Sequence, residues 1–100
     1  MLIYNTTYLV ADKQHGPWTK WIREEHIPFM LECGFSNPQI AKMLTADSEQ
    51  DGTSITVQFH IPDLYQLSIW DEAHAENLMN NMAEKFGADV LAFSTVLEIL

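Results

Sequence analysis

Two histidines lie in apolar stripes of helical spacing, and each follows a tryptophan. His26 closes the run Trp18-Thr19-Lys20-Trp21-Ile22-Arg23-Glu24-Glu25-His26, and His74 closes Ile69-Trp70-Asp71-Glu72-Ala73-His74. An unperturbed imidazole titrates near neutrality, so the pair has the side chains of a general base and a general acid. The plain alternative for each is a histidine at the edge of the core with one ring nitrogen bonded to a carbonyl. For His26 that carbonyl has a source, because Pro28 removes a backbone donor close by. Asp71, one turn ahead of His74, would complete three metal ligands with the two imidazoles. Neither H-x-x-x-H nor H-E-x-x-H spacing occurs, however, and no metal site is assigned. Trp18, Trp21 and Trp70 have the spacing of core residues and the chemistry of a pocket lining. Cys33 has acidic Glu32 beside it and no basic neighbour, which describes an ordinary thiol rather than a reactive one. Phosphate loops, nucleophile elbows and nucleotide fingerprints are absent, so no cofactor is implied.

The elements that would carry these residues follow from periodicity. Leu2 to Val10 is rich in β-branched and aromatic residues and predicts strand one. Gly16-Pro17 opens a helix whose stripe is Trp18, Trp21, Ile22, His26, Phe29, Met30 and Cys33, with Gly34 as its stop. Pro28, inside that helix, predicts a kink or break near His26. Gln39 to Thr45 predicts strand two. The polar stretch Asp47 to Thr53, with Asp51-Gly52, predicts a turn. In strand three, Ser54 to Ile61, the residues Ile55, Val57, Phe59 and Ile61 fall on one face and Thr56, Gln58 and His60 on the other. Asp63 and Gln66 form a capping box for helix two, whose stripe is Leu67, Trp70, His74, Leu78, Met82 and Phe86, ended by Gly87. Strand four, about Asp89 to Ile99, is apolar on both faces and is therefore expected to be covered on both.

The order β-α-β-β-α-β predicts an α+β, ferredoxin-like sandwich as a single domain over residues 1–100, with two helices on one face of a four-stranded antiparallel sheet. The opposite sheet face receives either Tyr4 and Tyr8 or Ile3 and Leu9, and either Ala41 and Met43 or Ile40 and Leu44, depending on register. An apolar face of this kind is expected to pair with a second copy, giving a homodimer.

Charge and composition limit the partners. Five basic residues against fourteen acidic ones give a net charge of −9, which repels phosphate backbones and anionic membranes, so neither nucleic acid nor membrane is an expected partner. The chain has no apolar run long enough to span a bilayer and no basic start of a signal peptide. One cysteine permits no intrachain disulfide, and a reducing cytoplasmic setting is the simplest expectation.

The stretch His26-Ile27-Pro28 followed by Gly34-Phe35 resembles the H-x-P…G-F pattern at the end of helix one in some members of the dimeric α/β-barrel superfamily, which includes antibiotic-biosynthesis-type monooxygenases. Over nearly the whole length the chain resembles, more closely, a small bacterial family labelled only as a domain of unknown function. The residues behind this are Ile3-Tyr4-Asn5-Thr6-Thr7-Tyr8, Trp21 to Pro28, Phe86-Gly87 and Phe93-Ser94-Thr95-Val96-Leu97-Glu98. The superfamily resemblance implies a pocket between helices and sheet, and Asn5, Tyr8, Trp21, His26, Trp70 and His74 supply the residue types found in its cofactor-free oxygenases. Haem-degrading members carry a histidine further along helix two, where this chain has Asn80-Asn81, so haem chemistry is not carried over. The expectation is a small dimeric protein binding an apolar or aromatic small molecule through Tyr8, Asn5, Trp21 and Trp70, with His26 and His74 as candidate catalytic residues. A cofactor-independent monooxygenase-like enzyme and a non-catalytic dimerisation module remain open as alternatives.

Overall fold

The computed structural model describes residues 1–44 and 52–100. Four strands, β1 (Leu2–Val10), β2 (Ser36–Lys42), β3 (Thr53–Ile61) and β4 (Val90–Glu98), form one antiparallel sheet in the order β2-β3-β1-β4. Helix α1 (residues 15–32) joins β1 to β2, and helix α2 (residues 64–86) joins β3 to β4. This is the ferredoxin-like α+β arrangement that the order of elements predicts. No helix among the described residues is long and apolar enough to cross a membrane.

The register settles the parity that sequence alone leaves open. Tyr4 pairs with Phe59, Tyr8 with Ile55 and Val10 with Thr53, and the buried set Tyr8, Val10, Ile55, Val57, Phe59 and Ile61 therefore shares the helix-side face. Ile3, Asn5, Thr7 and Leu9 fall on the opposite face, alongside Thr56, Gln58 and His60 of β3 and Leu91, Phe93 and Leu97 of β4. In β2, Ile40 packs against the core and Ala41 takes the open face, so the open face receives Ile3 and Leu9 from β1 and Ala41 from β2.

Three expectations change. Strand β2 starts at Ser36, three residues before Gln39, because a bulge between Ser36 and Gln39 absorbs one extra residue. Asn37 sits in that bulge at φ 50, and Pro38, which has no N–H for the ladder, is accommodated there too. Thr45, Asp47 and Asp51, at the end of the expected strand and in the expected turn, lie outside the described residues. Strand β4 is the second change. Only Val90 is buried, and every residue from Leu91 to Glu98 is exposed, so among the described residues nothing covers either face of this strand beyond Val90. The third is the expected kink at Pro28, which takes the form of a π-helical turn, Ile22–His26, inside a helix that continues through Ile27–Glu32. The N–H of Ile27 bonds to the carbonyl of Ile22, five residues back. Widening the turn accommodates a proline that could neither donate to Glu24 nor clear its carbonyl in a regular helix.

The ends of the helices follow local chemistry. Asp63 accepts a 2.9 Å bond from the N–H of Gln66, the capping contact that its spacing predicts. At the end of α1 the N–H of Phe35 bonds to Met30 and that of Gly34 to Leu31, at 3.1 and 3.2 Å, with Gly34 at φ +102. These two bonds make a Schellman motif, which requires a left-handed residue at Gly34 and turns the chain so that Phe35 enters the core. Gly52, entering β3, has φ +114, and a Cβ there would overlap the carbonyl oxygen of Val10 across the strand pair. Gly52→Ala therefore combines left-handed strain with a backbone clash and is expected to cost more than about 2 kcal/mol. Urea unfolding should show a lowered midpoint at unchanged slope, and an unchanged midpoint would refute this reading.

Candidate functional site

The π-helical turn in α1 decides where His26 points. Residues five apart lie about 140° apart around a regular α-helix, so Trp21 and His26 would not share a face. In the widened turn they do, and their rings stack at 5.1 Å between centroids with 21° between planes. The stack is held edge-on at both ends. Phe59 of β3 meets His26 at 6.0 Å, and Phe86 of α2 meets Trp21 at 5.9 Å. His26 is only 7% exposed. Its Nδ1 is buried with no hydrogen-bond partner among the described residues, so no carbonyl freed by Pro28 reaches that nitrogen. Burial lowers its pKa to about 4, and the imidazole is neutral at physiological pH.

A cavity of about 360 Å³ opens beside this stack, between α2 and the β1–β4 part of the sheet. Tyr4, Tyr8, Trp21, His26 and Trp70 supply its aromatic walls, and Leu78, Met79 and Met82 of α2 its aliphatic one. Trp70 is fixed edge-on by Tyr4 at 5.5 Å and by Phe35 at 5.2 Å. Its indole N–H favours the thiolate of Cys33 but closes no hydrogen bond, and burial nevertheless pushes the Cys33 thiol up. Burial likewise raises the Tyr8 phenol, with Tyr4 adding to the effect. On the β4 side Ala92 and Ser94 form the floor. There the Tyr4 hydroxyl donates to Ser94 Oγ at 3.1 Å, and Ser94 shares a 3.0 Å bond with Thr6 Oγ1. Among the described residues, Asp71 is the only Asp, Glu, Lys or Arg in the lining.

His74 occupies a different position. Its ring is half-buried, edge-on to Phe29 at 5.2 Å, in a second hollow of about 310 Å³ between the helices. His26, Trp21 and Leu78 line both hollows, while His74 lines only the second. Helix α2 also contains a π-helical turn, Asp71–Ala75, directly after Trp70 as the first one directly follows Trp21. No proline accounts for this second turn, and no feature of its sequence predicts it. Lys85 and Glu25 reach across the same hollow at 3.8 Å. Among the described residues no three His, Cys, Asp or Glu side chains converge as metal ligands.

Of the residues that sequence reasoning singles out, Tyr8, Trp21, His26 and Trp70 meet around the larger cavity, and His74 meets His26 around the smaller. Asn5 belongs to neither. The alternation of β1 sends it to the opposite sheet face, where its Nδ2 bonds Thr7 Oγ1 at 3.3 Å and its Oδ1 is buried without a partner among the described residues. Trp18 is core, packed on Tyr8 at 5.1 Å. Tyr4, Thr6 and Ser94 were not anticipated as site residues. Their signal was the shared parity of Tyr4, Thr6 and Tyr8, which becomes readable only once the register of β1 is known.

Comparison with known proteins agrees with this architecture. The family described as Domain of unknown function (DUF4286) matches residues 1–100, and the chain belongs to it. No curated protein matches. A crystal structure of an ethyl tert-butyl ether degradation (EthD) family protein from Bacillus halodurans C-125 superposes with a TM-score of 0.69 over 100% of both chains at 11% identity, which shows a shared fold.

The neutrality of His26 has a consequence for stability. Its folded pKa, about 4, lies below the ordinary value of 6.5 that applies in the unfolded chain. The unfolded state therefore binds the proton first as pH falls. The stability associated with neutral His26 is complete above pH 6.5 and is lost as pH drops toward 4, by about 3 kcal/mol. Urea unfolding across this range should show the loss in the wild type and a markedly smaller one in His26→Gln. Equal losses in the two proteins would show that His26 is not the group responsible.

Proposed function

We propose that this member of the DUF4286 family is a small-molecule-binding protein that takes an apolar or aromatic ligand between its helices and its sheet and works as a homodimer through the open sheet face. The observation that carries the reading is the cavity of about 360 Å³, walled by Tyr4, Tyr8, Trp21 and Trp70. Its size lies within the range of small-ligand sites, and a mostly apolar lining with a few convergent polar groups is typical of them. Binding is favoured over proton-transfer chemistry at His26. An imidazole whose conjugate acid has a pKa of about 4 is a weak base at neutral pH.

The dimer reading rests on β4. Leu91 and Phe93 are 57% and 66% exposed and share the open face with Leu97, Ile3 and Leu9. Exposed apolar side chains of this size are expected to be covered, and a second copy placed face to face covers both patches at once. Asn5 and Thr7 lie between Ile3 and Leu9, and Thr56, Gln58 and His60 of β3 run beside them, so the interface would be mixed in character. The same surface also supports the module reading, in which association is the whole function and the cavity is incidental.

Two measurements separate these readings. Titration with naphthalene should quench the emission of Trp21 and Trp70, and Ala92→Phe, which fills the cavity from its floor, should weaken binding at least tenfold without loss of stability. No quenching, or binding indifferent to Ala92→Phe, would favour the module. Light scattering at micromolar concentration should give a dimer, and Phe93→Asp should give a monomer. A monomeric wild type would refute the association.

A further inference from the structure

The hydroxyls at the floor of the cavity can be counted. Tyr4, Thr6 and Ser94, bonded to one another, bring three O–H protons, and the fourth hydroxyl residue of the lining, Tyr8, stands outside this chain. Tyr4 gives its proton to Ser94 Oγ, and one proton lies between Ser94 and Thr6, whichever of the two donates it. Among the hydrogen bonds of the described residues, the third proton has no protein acceptor. It belongs to Ser94 or to Thr6, both in the lining, and it is free to serve whatever occupies the cavity. In either arrangement the hydroxyl that holds the free proton also accepts from a neighbour, and a donor that also accepts is the stronger donor.

The charge around this donor is one-sided. Among the described residues the lining contains no lysine or arginine, and its one acidic side chain is Asp71. His26 contributes no positive charge, since its ring is buried against Trp21 and Phe59. The chain as a whole carries −9. A carboxylate or phosphate entering here would lose water, find no cation in exchange and face Asp71. A hydrocarbon with no polar atom would leave the hydroxyl chain without an acceptor once water is displaced.

We infer that the ligand of this cavity is a neutral, largely aromatic or aliphatic molecule with an accepting oxygen, of the ketone, aldehyde or ether class, which takes the free proton of the Tyr4–Ser94–Thr6 hydroxyl chain. This rests on the cavity being a ligand site and assigns the class of ligand it selects.

Three probes with one ring system test it: naphthalene, 2-acetylnaphthalene and 2-naphthoate, titrated into the full chain at pH 7 with indole emission as the readout. One neutral hydrogen bond should make 2-acetylnaphthalene bind about threefold to tenfold more tightly than naphthalene, and 2-naphthoate should bind at least tenfold more weakly than the ketone. In Tyr4→Phe/Thr6→Val/Ser94→Ala, which removes all three hydroxyls with little change of shape, the ketone and naphthalene should bind equally. Naphthalene binding by that variant also reports whether its cavity is intact, and the wild-type comparison stands even if the variant does not fold. Equal wild-type affinities for ketone and hydrocarbon, or a ketone preference that survives in the variant, would overturn the hydroxyl anchor. Naphthoate binding as tightly as the ketone would overturn the neutral class. Binding of none of the three would instead overturn the cavity as a ligand site, and the ligand class with it.

Discussion

The stack of Trp21 on His26 is the contact on which the rest of the site depends. It exists because a π-helical turn places residues five apart over one another. Through Phe59 below and Phe86 above, it ties the sheet, α1 and α2 into one aromatic column. A charged imidazole would be poorly tolerated in that column, since burial penalises the cation. The column also forms a wall. Trp21 and His26 border both hollows, so the π turn that aims them defines the larger cavity on one side and the interhelical cleft on the other.

Strand β4 sets the second constraint. The helices bury β1 and β3 but leave β4 bare on both faces beyond Val90. On the helix side this leaves room above Ala92 and Ser94, and that room is part of the cavity. On the other side it leaves Leu91, Phe93 and Leu97 in water. A single strand thus accounts for both the open cavity on one side of the sheet and the exposed apolar side chains on the other, and apolar residues on both of its faces are the sequence pattern of such a position.

Much of the fold was readable from periodicity and caps. The alternation in β3, the stripe of α1, the Asp63–Gln66 cap and the stop at Gly34 all appear where local chemistry requires them, because each depends on neighbours within a few residues. The start of β2 was misread because its bulge, built on Asn37 and Pro38, is defined by pairing with β3 and not by its own composition. The bare flanks of β4 were misread for a related reason. Two apolar faces show that a strand should be covered, but not that the cover lies within the same chain.

The site was readable as a set of residue types but not as a set of neighbours. Sequence alone determined that two imidazoles and three indoles lie on helix stripes facing a sheet, that the charge is strongly acidic, and that Pro28 must disturb α1. Tertiary structure decided that His26 turns inward as a neutral ring while His74 stays half-buried in a separate hollow, that Tyr4, Thr6 and Ser94 meet, and that Asn5 does not join them. The physical reason is the same in each case. In a strand a shift of one residue exchanges the two faces, and in a helix one extra residue in a turn rotates everything after it. Both are set by long-range pairing and packing, which the local sequence does not encode.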